Sequence, residues 1–578
     1  MTAFAAAAAL PASAARPPRA ASIALAGRRE IAFRRARLRL TLGAMVFVAL
    51  ILVLAARLVE LAVVHGPAHR AAAAPAAQRG DIVDRNGRVL AHSFDALAIV
   101  VAPARLVPRL ASNPQALAGR LAAILPGRDA ATLQADLSNR RTFQYISRRV
   151  LPEQAQRIND LGEPAISLAR EPARLSPNLS LGAHVLGYTV DAGGKYGVER
   201  TRDGALERPG GAPVQLAMDS RVQQALEAEL FAGMTTHRAL GAAGLVLDVA
   251  TGEIVAMASL PSFNPNAAGH SDDNARFNRT TQGVYELGST FKTLTIAMAL
   301  DAGTITSMAQ TYDATHNLKV GRFTIHDDHP IRKWLTVPEI FIHSSNIGTA
   351  RMAAQLGAAR QRAYLDSLGF LAPVQVELVE RGKTLYPPIS NWGEIATMTV
   401  GYGHGMAVTP LHLATAYAAV VNGGIWRPAT LFKVAPGHAV PGRRVFSEAT
   451  SDKMRALLRL VVTSGTGRKA NTPGYRVGGK TGTAEKPKGG RYAKHALVST
   501  FAAAFPMDAP RYVVIAMLDE PHGTAATGGF ATAGMVAAPI VERIVARIGP
   551  VLGVRPDLER DIDLAGLLGT GNYAEAKE

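Results

Sequence analysis

The sequence predicts an α+β fold: a central antiparallel sheet flanked by helices, an elongated domain before it, and one membrane-spanning helix at the start. Two hairpin patterns predict the sheet, because they lie at opposite ends of a mostly helical segment, at residues 244–258 and 498–518. A Pro-Gly break at residues 208–211 separates this segment from a loop-rich stretch. A charge-free apolar run behind an arginine-rich N-terminus predicts the membrane helix.

The composition limits the kind of protein. At 578 residues the chain exceeds one hydrophobic core of about 150 residues, so two or three folded units are expected. The 48% of hydrophobic and 19% of charged residues exclude global disorder. Cysteine is absent from the sequence, which excludes disulfides, thiol nucleophiles, iron–sulfur clusters and cysteine–zinc sites.

The net charge of +18 indicates an anionic partner. Before residue 40, eight arginines against a single acid, Glu30, contribute +7, which leaves +11 over the remaining 539 residues. That remainder is a modest basic bias, and no helix-turn-helix, zinc-finger or aromatic RNA-binding motif accompanies it. The sequence therefore predicts no nucleic-acid partner and favours a membrane surface or a carboxylate-bearing polymer.

Residues 40–64 are predicted to form a transmembrane helix. The first 17 of them carry no charge, and a helix of about 20 apolar residues spans a bilayer. A signal peptide cleaved near Ala77 and a buried core helix are the alternatives, but the apolar run and its 39-residue lead are longer than those of a signal peptide. The arginines predict that residues 1–39 form a basic cytoplasmic tail and that the chain beyond the helix lies outside the membrane.

Three further segments are predicted after the anchor. A loop-rich α+β domain occupies residues 65–210, an enzyme-sized α+β domain occupies 211–552, and a polar, mobile tail occupies 553–578. Within the larger domain, hydrophobic periodicity predicts two helices and two pairs of strands. These elements cover residues 219–230, 244–249, 254–258, 498–505, 512–518 and 536–548.

Ser289 and Lys292 open an apolar helical pattern and are predicted to lie on one face of the helix, one turn apart. A serine hydroxyl becomes a good nucleophile only when a neighbour takes its proton, and a lysine can do so when burial or an adjacent cation lowers its pKa. Backbone N–H groups at the start of the helix can face a developing oxyanion. Alone, Ser-x-x-Lys is weak evidence, because a serine cap followed by a surface lysine is common.

Ser344 and Asn346 form a second element, 55 residues after Ser289. The hydroxyl of Ser344 can move a proton, and the amide of Asn346 can hold a substrate carbonyl. The pattern Ser-x-Asn also occurs at residues 176–178 and 262–264, but both copies precede Ser289 and are interpreted as turns.

Lys480, Thr481, Gly482 and Thr483 form the third element, 136 residues after Ser344. On an edge strand, the lysine supplies a second cation near the first one, and the two threonine hydroxyls can bind a substrate carboxylate. The glycine lets a substrate backbone come close to the strand.

The third element has a competing interpretation. Residues 474–481 satisfy the phosphate-loop pattern G-x-x-x-x-G-K-[ST]. A phosphate loop follows an apolar strand and opens a helix, whereas this segment follows a turn and runs into glycine and proline, so a nucleotide site is not expected. His326 and His329 flank two aspartates, but no helical His-x-x-x-His pair or third ligand is in register, and a solvated loop is favoured over a metal site.

The three elements, in this order and at this spacing, resemble those of the penicillin-binding proteins and serine β-lactamases. Further segments extend the resemblance to the class B penicillin-binding proteins. They are RGDIVDRNGRVLA at 79–91, GVER at 197–200, TGEIVAMAS at 251–259, GYG at 401–403 and VTPL at 408–411. No glycosyltransferase domain fits between the anchor and residue 79, and the overall size, short pedestal and arginine-rich lead are most similar to the cell-division, FtsI-type transpeptidases.

The resemblance implies D,D-transpeptidation of peptidoglycan stem peptides by a penicilloyl-serine-transferase (β-lactamase-like) domain on an elongated pedestal of the dimerisation type. The implied roles are Ser289 as nucleophile, Lys292 as general base, Ser344 as proton relay, Asn346 as holder of the donor amide, and Lys480, Thr481 and Thr483 as the carboxylate site. The backbone N–H groups of Ser289 and Thr483 are the implied oxyanion hole.

The resemblance also implies the surroundings of the enzyme. β-Lactams acylate the same serine, and neither a metal nor an organic cofactor is needed. The expected location is the cell inner membrane, single-pass, with a cytoplasmic N-terminus and periplasmic domains. A glycosyltransferase of the division machinery and other divisome membrane proteins are the expected partners. An elongation-specific transpeptidase, a β-lactamase or carboxypeptidase that transfers to water, and a non-catalytic penicillin-binding scaffold or sensor stay open as alternatives.

Overall fold

The computed structural model describes residues 21–63, 79–102, 113–125, 127–138, 143–190, 193–208, 212–438, 440–488 and 491–568. The chain divides into two compact units, residues 1–76 and 77–578. The predicted tail before residue 21, the alternative cleavage site near Ala77 and most of the predicted domain break at 208–211 lie outside the described residues.

One helix, α1, is described in the first unit and covers Ala21–Val63. Its candidate spanning part, Phe33–Glu60, is about 42 Å long and contains an 18-residue window with a mean hydropathy of 2.6, enough to cross a bilayer. The helix begins 19 residues before the predicted start at residue 40, because the preceding Ala, Leu and Arg residues are strong helix formers. Arg57 and Glu60 form an ion pair at 2.5 Å near its end.

The second unit begins with a small α+β domain, the pedestal. Its helices are α2 Pro114–Ile124, α3 Ala130–Ser138, α4 Pro152–Asn159, α5 Ala183–Leu186, α6 Gly197–Thr201 and α7 Asp203–Leu206. Its strands are β1 Ile82–Val83, β2 Val89–Val101, β3 Gln144–Val150, β4 Ile166–Leu175, β5 Thr189–Val190, β6 Gly193–Gly194 and β7 Val214–Gln215. The long strand β2 pairs antiparallel with β1, β3 and β4, and β1 pairs parallel with β7. Helices α2 to α4 pack on this sheet through apolar residues such as Leu117, Leu133 and Ile158.

A network of charged side chains also stabilises the pedestal. Glu199, which is 2% exposed, accepts from Arg79 Nε at 2.6 Å and from Arg174 Nε at 2.7 Å. Arg79 also pairs with Asp203 at 2.7 Å and with the more exposed Glu207 at 3.6 Å. Two buried guanidinium groups thus share one buried carboxylate, which compensates their loss of water.

The larger domain follows. Its helices are α8 Ser220–Thr236, α9 Asp273–Arg276, α10 Phe291–Asp301, α11 Val337–Ile342, α12 Asn346–Leu356, α13 Ala358–Ser367, α14 Glu394–Gly401, α15 Pro410–Val421, α16 Glu448–Ser464, α17 Ala533–Val536, α18 Ala538–Val551 and α19 Ala565–Leu568. Its strands are β8 Gly241–Asp248, β9 Ile254–Leu260, β10 Thr311–Asp313, β11 Leu318–Val320, β12 Phe323–Ile325, β13 Trp334–Thr336, β14 Ile425–Trp426, β15 Arg443–Arg444, β16 Gly478–Lys488, β17 Arg491–Phe505 and β18 Tyr512–Asp519.

The five long strands of this domain form one antiparallel sheet in the order β16-β17-β18-β8-β9. Helices α8 and α18 bury Leu226 and Ile544 against one face of the sheet. On the other face α15 packs on the sheet, and α10 and α16 pack beside it. The predicted α+β fold with a sheet built from both ends of the domain is confirmed, and β16 forms one edge of that sheet.

The C-terminal segment differs from the expected mobile tail. Val554 is 4% exposed, the N–H of Asp557 donates to the carbonyl of Gly474 at 2.9 Å, and Asp561 accepts from Arg459 Nε at 2.9 Å. Arg459 is a buried cation of α16 and needs a carboxylate partner, which the tail provides. Residues 553–568 therefore pack on the domain, and residues 569–578 lie outside the described part.

Candidate active site

Ser289 lies in a 3-10 turn that leads directly into α10. Gly288 has φ +54°, and a Cβ there would lie 2.6 Å from the carbonyl oxygen of Thr483, so only glycine lets the turn approach β16 this closely. The buried hydroxyl of Tyr417 donates to the carbonyl of Thr290 at 2.9 Å. The turn is held from two sides, while the half-buried hydroxyl of Ser289 makes no hydrogen bond with a described residue.

Lys292 lies in the first turn of α10 and is completely buried. Its ammonium donates to Asn346 Oδ1 at 2.7 Å, to Ser344 Oγ at 3.1 Å and to the carbonyl oxygen of Ser344. Burial lowers the pKa of Lys292 to about 8, against the opposing field of Asp327 and Asp328. A lysine that loses its proton close to neutral pH is suited to act as a base.

The second sequence element joins α11 to α12. Ser344 has φ +58°, a left-handed conformation that is costly for a residue with a side chain. Ser345 caps α12, and Asp327 accepts from its hydroxyl at 2.8 Å and from the N–H of Ile347 at 2.9 Å. These bonds hold the strained connection in place, so that the side chains of Ser344 and Asn346 both meet the first lysine.

Lys480 lies on β16 and is also completely buried. Its ammonium donates to Ser344 Oγ at 3.0 Å and to Thr481 Oγ1 at 3.1 Å, so the hydroxyl of Ser344 links the two lysines. Burial, and then the neighbouring charge of Lys292, lower the pKa of Lys480 well below its usual value. The two amines form a coupled pair in which double protonation is disfavoured.

The threonines of the third element contact other parts of the domain. The hydroxyls of Thr481 and Thr466 lie 2.8 Å apart, and Thr483 Oγ1 accepts from the N–H of Ala533 at 3.0 Å. A hydroxyl has one donor and two acceptor positions, so Thr483 keeps its own O–H free to donate to a ligand.

Gly482 lies directly against the 3-10 turn that bears Ser289. A Cβ there would lie 2.3 Å from the carbonyl oxygen of Leu287 and 2.7 Å from Thr290 Cγ2. Gly403 makes a similar approach from the turn after α14, where a Cβ would lie 1.9 Å from the carbonyl oxygen of Gly288. The space beside Gly482 on this side of the strand is therefore filled by the turn itself and not by a substrate backbone, contrary to the expectation from the sequence.

The structure brings together most of the residues that the three sequence elements predicted. Lys292, Ser344, Asn346, Lys480 and Thr481 are joined by hydrogen bonds. Ser289 and Thr483 meet them through backbone contact of the turn with β16. The bonds of Lys292 go to the second element, and none goes to the hydroxyl of Ser289.

The structure also bears on the phosphate-loop and metal-site interpretations. Lys480 lies within a strand instead of at the start of a helix, which excludes a phosphate loop at residues 474–481. Within the described ranges no three metal-ligating side chains form a group. The backbone around His326 instead supports the second element, because its carbonyl accepts from Asn346 Nδ2 at 3.1 Å.

Three residues of the site were missed in the sequence: Asp327, Tyr417 and Thr466. Thr466 contacts the predicted Thr481, whereas Asp327 and Tyr417 contact Ser345 and Thr290, the sequence neighbours of predicted residues, so no spacing pattern marks them. Gly403 had a signal, because it belongs to the GYG segment that contributed to the family resemblance.

The fold and the site define a class of protein. Residues 242–546 match the penicillin binding protein transpeptidase domain, and residues 74–244 match the penicillin-binding protein dimerisation domain. With its relatives taken into account, the chain belongs to the class B penicillin-binding proteins of the FtsI type, as the motifs predicted.

Two relatives and one solved structure illustrate this membership. The probable peptidoglycan D,D-transpeptidase FtsI of Caulobacter vibrioides is 42% identical over 495 residues, which cover 83% of this chain and 82% of the relative. The peptidoglycan D,D-transpeptidase FtsI of Escherichia coli is 30% identical over 512 residues, covering 83% and 84%. Penicillin binding protein 3 from Mycobacterium tuberculosis, in complex with aztreonam, has a TM-score of 0.66 and 25% identity, covering 83% and 97%.

Proposed function

We propose that this chain is a membrane-anchored peptidoglycan D,D-transpeptidase that cross-links stem peptides through an acyl-enzyme on Ser289. The observation that carries the proposal is the hydrogen-bonded chain of Lys292, Ser344 and Lys480 next to the turn that bears Ser289. Both relatives described above are named peptidoglycan D,D-transpeptidases, which supports the same reaction.

In the acylation step, neutral Lys292 takes the proton of Ser289 while the serine oxygen bonds to the carbonyl carbon of the penultimate D-alanine. The developing oxyanion is bound by the N–H groups of Ser289 and Thr483. The carbon–nitrogen bond then breaks, and the leaving nitrogen of the terminal D-alanine takes a proton through Ser344. Because Ser344 contacts both amines, it can pass protons between them.

In the second step a primary amine of another stem peptide attacks the ester. The new amide bond forms, the bond to the serine oxygen breaks, and Ser289 regains a proton. Asn346 uses one N–H on the carbonyl of His326 and its oxygen on Lys292, so its second N–H is available for the donor amide. The terminal carboxylate binds at Lys480, Thr481 and Thr483. β-Lactams enter the same path, because they present an amide beside a carboxylate.

The proposed location is the cell inner membrane at the division septum. The apolar run of helix α1 and the arginines that precede this run favour a single crossing with a cytoplasmic N-terminus and periplasmic domains. A glycosyltransferase of the division machinery and other divisome membrane proteins are the proposed partners, in keeping with the FtsI-type relatives.

Covalent labelling with a fluorescent penicillin tests the reaction. The wild-type chain should be labelled, and Ser289→Ala should not. Ser307→Ala, which removes an exposed serine hydroxyl outside the hydrogen-bonded site, is the matched control and should be labelled normally. Labelling of Ser289→Ala at the wild-type rate would disprove the assigned nucleophile, and rapid turnover of the adduct would indicate a β-lactamase.

Depletion in living cells tests the location. Loss of a septal enzyme should give filaments, whereas rounded cells would indicate the elongation role. Complementation separates the enzyme from a scaffold: Ser289→Ala should fail to restore growth. Growth restored by Ser289→Ala, but not by an empty vector, would indicate a scaffold or sensor.

A further inference from the structure

A cavity of about 440 Å³ adjoins the active site. Two of its lining residues flank the proposed catalytic segments in sequence. Glu286 lies three residues before Ser289, and Glu485 lies two residues after Thr483 on β16. Because the turn that bears Ser289 and β16 are in backbone contact, the cavity lies next to this turn and not at a remote surface.

The first carboxylate of the cavity is held firmly. The side chain of Glu286 is 11% exposed and accepts from Tyr492 Oη at 3.0 Å and from the N–H of Gly405 at 3.0 Å. A ring nitrogen of His404 lies 3.1 Å from its other oxygen. These contacts fix the carboxylate on the wall of the cavity and connect the nucleophile segment to the start of β17.

The second carboxylate has no protein partner. Glu485 forms no hydrogen bond or ion pair with any described residue. The neighbouring lysine of the lining, Lys486, is already neutralised by Asp519 at 2.7 Å and Glu520 at 2.8 Å. The cavity therefore has an unmatched negative charge of its own.

The remaining walls are largely apolar. The lining includes Leu385, Tyr386, Pro387, Val284 and Val498. An apolar channel with a carboxylate beside it suits an alkylammonium group, which packs its methylene stem on apolar surface and presents its charge to the carboxylate.

The position of the cavity identifies the occupant. In the proposed reaction the terminal carboxylate of the donor lies at Lys480 and Thr481, and its scissile carbonyl lies at Ser289. A donor peptide that extends along the edge strand β16 then runs from Thr481 toward Glu485. At about 3.3 Å per residue, the side chains just upstream of the scissile D-alanine reach the level of Glu485.

The donor carries a suitable group. The acceptor stem supplies a primary amine, and donor and acceptor are copies of the same stem peptide, so an uncross-linked donor bears that amine as an ammonium. Resting on the proposed function, we propose that this cavity is the specificity pocket for the ammonium-bearing side chain of the donor stem, with Glu485 as its ion-pair partner and Glu286 as a second, fixed carboxylate.

Paired thioester substrates test the pocket on the full chain in detergent. One is acetyl-L-lysyl-D-alanyl-D-thiolactate, and the other is the same compound with its lysine amine acetylated. The readout is the ratio of their acylation rates within each variant, so that a general loss of activity cancels. The wild-type ratio should favour the cationic substrate about tenfold, the size of one charge-assisted hydrogen bond.

Substitutions at the second carboxylate should move that ratio. Glu485→Gln should bring it close to one, and Glu485→Lys should invert it. Glu559→Gln, an exposed glutamate of the C-terminal segment, is the matched control and should keep the wild-type ratio. A ratio of one in the wild type, or the same ratio in wild type and Glu485→Lys, overturns the pocket.

Penicillin labelling separates the two proposals. A wild-type chain that penicillin does not label overturns the proposed function and the pocket with it. A chain that is labelled but does not distinguish the two thioesters overturns the pocket alone.

Discussion

Two clusters of buried cations in this chain have opposite surroundings. In the pedestal, two buried arginines share the carboxylate of Glu199. In the catalytic domain, Lys292 and Lys480 share only the neutral hydroxyl of Ser344, and neither has an ion pair with a described carboxylate. A cation matched by a carboxylate keeps its proton and holds the fold together, whereas a cation matched by a hydroxyl and a second amine is ready to lose it. Both clusters are buried, so the hydrogen-bond partner of the cation decides whether it stabilises the fold or takes part in proton transfer.

Removing the first lysine should have the largest effect. Lys292→Met should slow acylation by labelled penicillin about a thousandfold, because no general base remains for the serine. The midpoint of thermal unfolding should not fall, since the substitution removes a buried amine that has no carboxylate partner. Stopped-flow labelling and calorimetry measure the two quantities. Lys453→Met, at an exposed position of α16, is the control for loss of a lysine; acylation at the wild-type rate in Lys292→Met would contradict the assignment of the base.

Removing the shared carboxylate of Glu199 should lower stability and leave acylation almost unchanged. Glu199→Gln leaves the two pedestal guanidiniums without their common charge partner and should lower the free energy of unfolding by about 3–5 kcal/mol. Urea denaturation followed by tryptophan fluorescence and circular dichroism measures this change. The acylation rate of the folded molecules should stay within a factor of two or so of the wild type, because the network does not touch the site. A loss of acylation without a loss of stability would show that the pedestal charges serve chemistry after all.

The acidity of Lys292 predicts the pH dependence. Acylation should rise about tenfold per pH unit and level off above pH about 8, because only the neutral amine accepts the proton. The folded-state pKa of about 8 lies below the ordinary value of 10.5, so between these values the unfolded chain binds more protons and the contribution of Lys292 to stability rises with pH. Rate profiles and unfolding at several pH values test both. Lys292→Met should lose this part of each dependence, and a profile unchanged by the substitution would assign the titration to another group.

The smallest effect is expected at the rim of the pedestal network. Glu207 pairs with Arg79 at 3.6 Å, but its side chain is 57% exposed. Glu207→Gln should therefore change the free energy of unfolding by less than about 1 kcal/mol. Comparing this variant with Glu199→Gln in the same urea series shows how strongly burial increases the stability lost with one carboxylate. Equal losses in the two variants would contradict the difference between a buried and an exposed carboxylate.

Local sequence patterns predicted much of this fold. The hairpins at 241–260 and 491–519 and the helix at 538–551 have periodic apolar residues over most of their length, and their type does not depend on distant partners. The prediction failed where a segment depends on a distant residue, and where a helix continues beyond its apolar run. The tail after residue 552 packs because the buried Arg459 needs Asp561, about a hundred residues away. Helix α1 extends toward the N-terminus because polar arginines can be strong helix formers.

The site was predicted in parts but not as an arrangement. The side chains that meet in the site were predicted from three motifs, Ser-x-x-Lys, Ser-x-Asn and Lys-Thr-Gly-Thr, because acyl transfer to a serine needs a nucleophile, a base and a carboxylate site. The hydroxyl of Ser344 contacts both lysines because Ser344 has a left-handed backbone angle and because β16 has its particular register. No spacing in the sequence encodes either feature. Asp327, which secures the loop, was missed because its segment between His326 and His329 was interpreted as a solvated loop.

The contact between Gly482 and the carbonyl of Leu287 has a practical consequence. Two segments almost two hundred residues apart in the chain touch backbone to backbone, and the nucleophile turn has its shape only while the edge strand lies against it. A molecule in which the last three strands have detached loses the geometry of Ser289 along with its second amine. Covalent penicillin labelling therefore counts molecules whose domain is complete, and the rate at which labelling capacity returns after dilution from urea would time the last step of refolding.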